Sequence, residues 1–250
     1  MVICKKVIDE IETKIRLIKD NPGYFLKRSH QVRNDLRAMG NVHSFWLENP
    51  KMRRQILEHY SLGNSQKLHS VARESIKRIE SAWNYLMGNG VLLANITPQL
   101  IKDVGALVDS GNKQGFRDCR VSLRFESYTP PNPLRVPGYI EQFCSEIKRS
   151  DYHAVEAAAV AHLSIAGIQP FQDGNKRTAR LLQDKILSDN NLPPAVIHSG
   201  EREVYLDLLE QGIVGLKSND LKQQRPFFDY IGGKVNTALD EVIGDLSIKH

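Results

Sequence analysis

Apolar residues recur along most of the chain at intervals of three and four, the spacing that places side chains on one face of an α-helix. The first such stripe has apolar residues at 3, 7, 8, 11, 15 and 18 and ends at Asn21-Pro22-Gly23. Turn residues at Gly40-Asn41 end a second predicted helix over 24–39. The same pattern predicts further helices, which are 65–87, 97–111, 136–149, 152–166, 176–188, 205–212 and 226–242. The fold is therefore predicted to be mostly α.

One stretch alternates instead of following the helical period. Val121, Leu123 and Phe125 are separated by polar residues, which is typical of a half-buried β-strand. The prolines that follow over 130–133 have no backbone N–H to donate, so the chain must leave the strand there. The sequence predicts a short β-hairpin in this region.

Composition excludes several classes of protein. The 250 residues carry a net charge of +5, a mild basic balance that does not by itself indicate nucleic acid as a partner. The three cysteines (Cys4, Cys119 and Cys144) have no metal-like spacing and are not expected to form disulfides, which favours a reducing, cytoplasmic setting. No apolar run approaches the length of a bilayer span, and no secretion signal is evident at the N-terminus, so no membrane partner is expected.

The segment 169–180, Gln-Pro-Phe-Gln-Asp-Gly-Asn-Lys-Arg-Thr-Ala-Arg, has the chemistry of a phosphate site. Gly174 and Asn175 tolerate the backbone angles that let successive N–H groups point at an anion, and a predicted helix begins directly after them. Arg177 and Arg180 lie three residues apart on one helical face and can hold phosphate oxygens together. Asp173 offers a hard oxygen ligand suited to Mg²⁺.

This segment resembles the signature of the Fic (Fic/Doc, or Fido) domain family, His-Pro-Phe-x-Asp/Glu-Gly-Asn-Gly/Lys-Arg-x-x-Arg. Every defined position matches except the first, where Gln169 replaces the family's catalytic histidine. The likeness extends over about 96–230. It implies a Fic-type helical bundle core with a β-hairpin flap, on which a target protein docks by strand pairing.

The resemblance also implies a division of the chain. Residues 1–65 resemble nothing familiar and form an N-terminal helical extension, while 66–250 form the Fic domain. Within that domain the inhibitory helix is expected at about 66–87, the flap at about 115–130 and the signature loop at 169–180.

By this resemblance, the activity is AMP transfer from ATP, with Mg²⁺, to a Ser, Thr or Tyr hydroxyl of a target protein. Asp173 would bind the metal, and the distal phosphates would be held by Arg177 and Arg180. The anion hole would be formed by Gly174, Asn175 and Lys176. The docking flap would carry Val121, Leu123 and Phe125. The protein substrate is the implied partner, and oligomeric state stays open.

Gln169 limits how much of that activity can be transferred to this chain. A side-chain amide cannot accept a proton near neutral pH, and general-base catalysis is typically worth about 10²–10⁴-fold in rate. The expected function is an impaired adenylyltransferase. The alternatives are a non-catalytic ATP-binding regulator of the same fold and a phosphotransferase of the Doc kind, although Gly174 favours AMP transfer. His162 is expected to be a hydrogen-bonded core histidine that does not replace the missing base.

Segment 70–75, Ser-Val-Ala-Arg-Glu-Ser, resembles the inhibitory motif Ser/Thr-x-x-x-Glu-Gly/Asn of many Fic proteins, although Ser75 departs from its last position. In the family, this glutamate pairs with the second signature arginine. The resemblance therefore predicts that Glu74, with Ser70 at the motif's start, blocks Arg180. An ordinary solvated helix face is the competing interpretation, because charges here have i,i+4 partners. Glu80 is the alternative inhibitory residue.

Overall fold

The computed structural model describes residues 2–52, 66–90, 92–123, 127–149 and 151–244. Its α-helices are α1 (Lys5–Asp20), α2 (Pro22–Glu48), α3 (Gln66–Gly88), α4 (Leu92–Asn95), α5 (Pro98–Val108), α6 (Val136–Arg149), α7 (Ala154–Ile168), α8 (Asn175–Asp189), α9 (Arg202–Ser218) and α10 (Leu221–Ile243). Short 3₁₀ turns occur at Ser110–Gln114, Pro133–Arg135 and Ser199–Glu201. None of the helices in these ranges is long and apolar enough to cross a bilayer.

The centre of the fold is α7, a helix buried on most sides. Its small side chains, such as Ala157, Ala158 and Ala161, are fully or almost fully buried. Small residues let neighbouring helices approach closely, and α8 packs along α7 more extensively than any other pair of elements in the described chain. The most apolar helix of the sequence thus fixes the position of the loop that follows it.

The N-terminal helices share the core of the rest of the chain. Ile3, Ile11, Phe45 and Leu47 belong to the same buried cluster as Phe171 of the signature loop. Helix α1 packs on α10, and α2 contacts α3, α8 and α10. The predicted division at residue 65 stays a prediction, but packing joins both sides of it.

Helix α2 is longer than the pattern predicts. Gly40-Asn41 was expected to end it, yet the helix continues to Glu48. A glycine inside a helix costs only about 1 kcal/mol relative to alanine. Burial of Phe45 and Leu47 in the core stabilises the helix by more than this cost. Tertiary packing therefore overrides the local turn signal.

The predicted β-hairpin is not found. Val121 and Leu123 have no regular secondary structure, no strand occurs in the described ranges, and Phe125 lies outside them. A two-stranded hairpin is marginally stable by itself in water, and this helical fold supplies no sheet against which it could pair. By contrast, the predicted start of α5 is confirmed, because the Thr97 hydroxyl accepts a hydrogen bond from Leu100 N at 3.1 Å.

Candidate functional site

The signature loop joins α7 to α8 and is closed by one asparagine. Asn175 Oδ1 accepts a hydrogen bond from Phe171 N at 2.8 Å. Its Nδ2 donates to Phe171 O at 2.8 Å and to Gln169 Oε1 at 3.0 Å. Because Asn175 is buried, these bonds fix the loop without competition from water.

Two glycines permit the close contacts that shape the loop. Gly174 has a φ of 81°, and a Cβ there would lie 2.9 Å from Val108 Cγ1. Phe171 is fully buried against Gly105 of α5, where a Cβ would lie 2.1 Å from the phenyl ring. The loop is consequently pressed onto α5 directly before the start of α8.

Two polar residues outside the signature also support the loop. The Arg117 guanidinium is buried and donates to the main-chain oxygens of Gln169 at 2.6 Å and Pro131 at 2.7 Å. Asn112 Nδ2 donates to Asp173 O at 2.9 Å. Neither role was predicted from the sequence, because the acceptors are main-chain oxygens, which carry no sequence signal.

The Gln169 side chain is engaged within the loop. Its Nε2 donates to Ala166 O at 2.5 Å, while its Oε1 accepts the Asn175 bond described above. The residue has a left-handed φ of 50° and is buried. Both ends of the amide thus act in loop structure, and neither offers a basic group to a substrate.

A cleft of about 870 Å³ opens beside the loop. The sequence-predicted residues that line it are Gln169, Asp173, Gly174, Asn175, Lys176, Arg177 and Leu123. Glu203, Asp207 and Glu210 of α9 form another part of its wall. Glu210 also contacts the segment that was expected to form the flap, accepting a hydrogen bond from Ser127 N at 2.8 Å. The predicted phosphate residues other than Arg180 therefore converge on one cavity.

Arg177 is held at the mouth of the cleft by two carboxylates. Its Nη2 lies 3.1 Å from Asp173 Oδ2 and 3.4 Å from Asp109 Oδ2. The Asp173 side chain is 75% exposed, and its other oxygen caps the loop by accepting from Gly174 N at 2.6 Å. The Arg177 Nε is buried without a hydrogen-bond partner. This arrangement leaves Asp173 accessible to a cation and Arg177 with an unused donor.

Arg180 is buried and engaged by protein groups. Nε donates to Ser44 Oγ at 2.9 Å, Nη1 to Tyr205 Oη at 3.1 Å, and Nη2 to Ser44 O at 3.1 Å. The same Nη2 lies 3.0 Å from Glu48 Oε1. The guanidinium thus contacts α2 and α9 and does not line the cleft.

Glu48 joins two signature cations. While Oε1 contacts Arg180, Oε2 lies 2.9 Å from Lys176 Nζ. Burial alone would raise the pKa of Glu48, but the Arg180 and Lys176 charges outweigh that effect and hold the pKa below its ordinary value. A charged Glu48 therefore closes one side of the cleft, where it also forms part of the lining.

The prediction that Glu74 pairs with Arg180 is wrong. Glu74 is 61% exposed and lies 3.4 Å from Arg78 Nε on its own helix, and Glu80 is exposed as well. The geometry is that of the solvated helix face considered as the alternative. Ser70 lies on the same helix, α3, and the serine that contacts Arg180 is Ser44.

A sequence signal for Glu48 was present. Residues 44–49, Ser-Phe-Trp-Leu-Glu-Asn, match the pattern Ser/Thr-x-x-x-Glu-Gly/Asn at every defined position, including the asparagine that segment 70–75 lacks. The turn predicted at Gly40-Asn41 placed residues 44–49 outside the second predicted helix, whereas in the structure α2 continues to Glu48.

His162 lies in the core, as expected. Its Nδ1 is 2.7 Å from Gln183 Oε1 and its Nε2 is 2.9 Å from Tyr205 Oη. Because Gln183 Oε1 can only accept, Nδ1 carries the proton and Nε2 accepts from the Tyr205 hydroxyl. Burial lowers the pKa of His162 to about 3, so the ring is neutral. It orders Tyr205, which in turn contacts Arg180.

The sequence model described as the Fic/DOC family matches residues 91–187. This stretch of the chain is therefore similar to the Fic/DOC family. The match includes the loop and α8, whose geometry is described above. It ends before Tyr205 and begins after Glu48, so part of the Arg180 environment comes from outside the matched region.

Solved structures and curated proteins show the same similarity. A Fic domain containing signaling protein from Bacteroides thetaiotaomicron superposes with a TM-score of 0.75, covering 98% of this chain and 99% of that one, at 20% identity. This shows a shared fold. The protein adenylyltransferase Fic of Nematostella vectensis is 31% identical over 136 residues, and its namesake from Aedes aegypti is 33% identical over 130. The aligned parts are 53% and 51% of this chain but only 30% and 25% of those relatives.

Proposed function

We propose that this chain is a self-inhibited, Fic-type protein adenylyltransferase that binds ATP and Mg²⁺ in the cleft and is impaired by Gln169. The observation that carries the self-inhibition is the placement of Glu48, which engages Arg180 and Lys176 together. The names of the related adenylyltransferases support the choice of AMP transfer.

The residues present fit a magnesium nucleotide. Gly174 leaves no room for a Cβ, so the loop packs closely on α5. The N-terminus of α8, which follows the loop and lines the cleft, carries the partial positive charge that favours phosphate oxygens. Arg177 has an unused buried donor, and Asp173 is exposed at the mouth. When bound, the magnesium nucleotide would supply an electrophilic α-phosphorus atom and a diphosphate leaving group. Asp173 would hold the metal, and Arg177 the distal phosphates.

Self-inhibition follows from competition for one guanidinium. The donors of Arg180 are already bonded to Ser44, Tyr205 and Glu48. A phosphate can use this side chain only after Glu48 leaves, because the carboxylate and the phosphate carry the same sign of charge. Lys176 adds a second contact that holds the glutamate in place.

A second candidate is a nucleotide-binding regulator that transfers nothing. It is favoured by the Gln169 amide, whose two ends are bonded to Ala166 O and Asn175. In either case, the chain cannot take the proton from an attacking hydroxyl at this position. The two candidates differ in whether positioning and charge stabilisation alone sustain measurable transfer.

The test is intact-mass detection of AMP on the protein or on lysate proteins after incubation with ATP and Mg²⁺. The proteins compared are the given chain, Glu48→Ala, Gln169→His, and Gln169→His combined with Glu48→Ala. Glu74→Ala is the matched control, because it removes a glutamate that has no contact with Arg180. The mass of the added group also separates adenylyl from phosphoryl transfer.

We expect the double variant to label most strongly, with the histidine contributing about 10²–10⁴-fold. Labelling by Glu48→Ala alone would support the impaired enzyme. Labelling only when histidine is present would favour the regulator. If the double variant binds the magnesium nucleotide but labels nothing, the transferase proposal is wrong.

A further inference from the structure

A second cavity, of about 430 Å³, lies on a different part of the molecule from the cleft and shares none of its lining residues. Helices α1, α2, α3 and α8 contribute to its walls, and we refer to it as the α2 cavity. The lining residues on which the argument depends are Arg33, Arg37, Trp83, Asp184 and Leu192. Its volume is within the range of small-molecule sites.

Within the described ranges, the two arginines that line the α2 cavity form no ion pair with an acidic side chain. Arg33 donates to the main-chain oxygen of Asn191, and its buried Nε has no hydrogen-bond partner. Burial lowers the pKa of Arg33, which reflects the cost of keeping this charge away from water. The Arg37 guanidinium lies 5.3 Å from the centre of the Trp83 ring and forms no ion pair with any residue the structure describes. An anion between the two arginines would offset this cost.

The acidic group that lines the cavity can be neutral. Asp184 Oδ1 accepts hydrogen bonds from Gln183 Nε2 at 3.1 Å and Ala195 N at 3.2 Å. Burial raises the pKa of Asp184 to about 7. The carboxyl group can therefore take up a proton when an anion binds nearby, and it does not exclude one by repulsion.

We propose that the α2 cavity binds a small organic anion whose carboxylate or phosphate group contacts Arg33 and Arg37. The apolar body of the ligand lies against Leu192 and other apolar lining residues, which include Ile18, Met87 and Pro194. This division of polar and apolar contacts is the usual composition of a small-molecule site.

The two helices that supply these groups also meet at the cleft. Arg33 and Arg37 belong to α2, which ends at Glu48, and Asp184 follows Arg180 on α8. An anion in the α2 cavity therefore braces α2 against α8. This bracing is a property of the bound state and does not depend on the proposed adenylyltransferase activity.

The experiment follows the indole N–H signals of the ¹⁵N-labelled chain by NMR. The chain has two tryptophans, and Trp46→Phe assigns the signal of Trp83. The probes are benzoate and phenyl phosphate, with neutral benzamide as their counterpart. Each is titrated into the given chain, Arg37→Gln, Arg33→Gln and Arg120→Gln. The last variant is the control, because Arg120 is exposed and outside the cavity lining.

We expect saturable movement of the Trp83 signal with at least one of the two anions, which also shows whether carboxylate or phosphate is preferred. Each cavity variant should weaken binding about tenfold, since a charge-assisted contact is lost, and Arg120→Gln should not. Slower hydrogen exchange around Arg33–Arg37 on titration would support bracing of α2. The proposal is overturned if neither anion moves the signal, if benzamide moves it equally, or if Arg33→Gln and Arg37→Gln leave the affinity unchanged.

Discussion

Gly174 sits where the loop turns into α8, with a left-handed backbone and a neighbour too close for any side chain. Replacing it with alanine should destabilise the protein by about 1–3 kcal/mol, from positive φ and the contact with Val108. Gly233 is the matched control, since it lies on an exposed face of α10 with nothing within 4 Å of an added Cβ. Gly233→Ala should stabilise by about 0.5–1 kcal/mol.

Urea unfolding of the two alanine variants measures both effects on one scale. If Gly174→Ala is as stable as the unmodified chain, the close packing of the loop on α5 is not required for the fold. The same variant should also lose affinity for ATP and Mg²⁺, because the backbone N–H groups it displaces are the proposed phosphate donors.

At this scale, the sequence predicted the loop well and the acidic partner of Arg180 poorly. The signature segment specifies its own geometry because its contacts are local, such as Asn175 with Phe171. Glu48, the acidic partner of Arg180, lies on α2 and is 132 positions earlier in the chain. Two glutamates stand in similar local patterns. Although segment 44–49 matches the motif more fully than 70–75 does, it is the tertiary packing of α2 that shows Glu48, and not Glu74, in contact with Arg180.

Helix α2 is the element that links the N-terminal part of the chain to the cleft. In its last turns, Ser44 and Glu48 contact Arg180. Leu47 O also accepts a hydrogen bond from Arg202 Nε at 2.9 Å. Glu48→Ala removes the charged contacts and leaves the others. We expect amide exchange over 45–48 to become about tenfold faster, corresponding to about 1.4 kcal/mol of local stability.

Hydrogen exchange with peptide-level detection checks this expectation, with Glu74→Ala as the control. Unchanged exchange over 45–48 in Glu48→Ala would mean that the buried apolar side chains alone hold this part of α2. Faster exchange in both variants would show that a general loss of stability, and not the Arg180 contact, is responsible.

At the scale of elements, helices with strong apolar periods were predicted and two features were not. The helical period identified α5, α7 and α8 because each has a face that must be buried. The pattern failed at Gly40, where burial of Phe45 outweighs the turn signal. It failed also at Val121 and Leu123, whose alternation requires a partner strand that the described fold does not provide.

Two buried groups should give the whole molecule an unusual pH dependence. Burial lowers the pKa of His162 from 6.5 to about 3, so the folded protein holds this ring neutral. The contribution of the neutral ring to the free energy of unfolding is therefore full above about pH 6.5 and declines as pH falls below that value. Burial raises the pKa of Asp184 from 3.8 to about 7, so the folded protein favours the protonated carboxyl group. The contribution of that group to the free energy of unfolding is full below pH 3.8 and is lost as the pH rises towards 7. The two effects oppose one another between these limits.

Asp184→Asn isolates the second effect while keeping the size of the side chain. The free energy of unfolding of the given chain, minus that of the variant, should fall by up to about 1.4 kcal/mol per pH unit as pH rises from about 4 to about 7. Denaturant titrations at several pH values measure this difference. A difference that is constant with pH would mean that Asp184 does not carry a proton in the folded state.

The central claim is that Glu48 keeps Arg180 from the nucleotide, and calorimetric titration with ATP and Mg²⁺ tests it most directly. Glu48→Ala should bind about tenfold more tightly than the given chain, because a charge-assisted contact from Arg180 becomes available. Glu74→Ala should bind like the given chain, since its carboxylate contacts Arg78. An affinity that is the same in all three proteins would contradict the account.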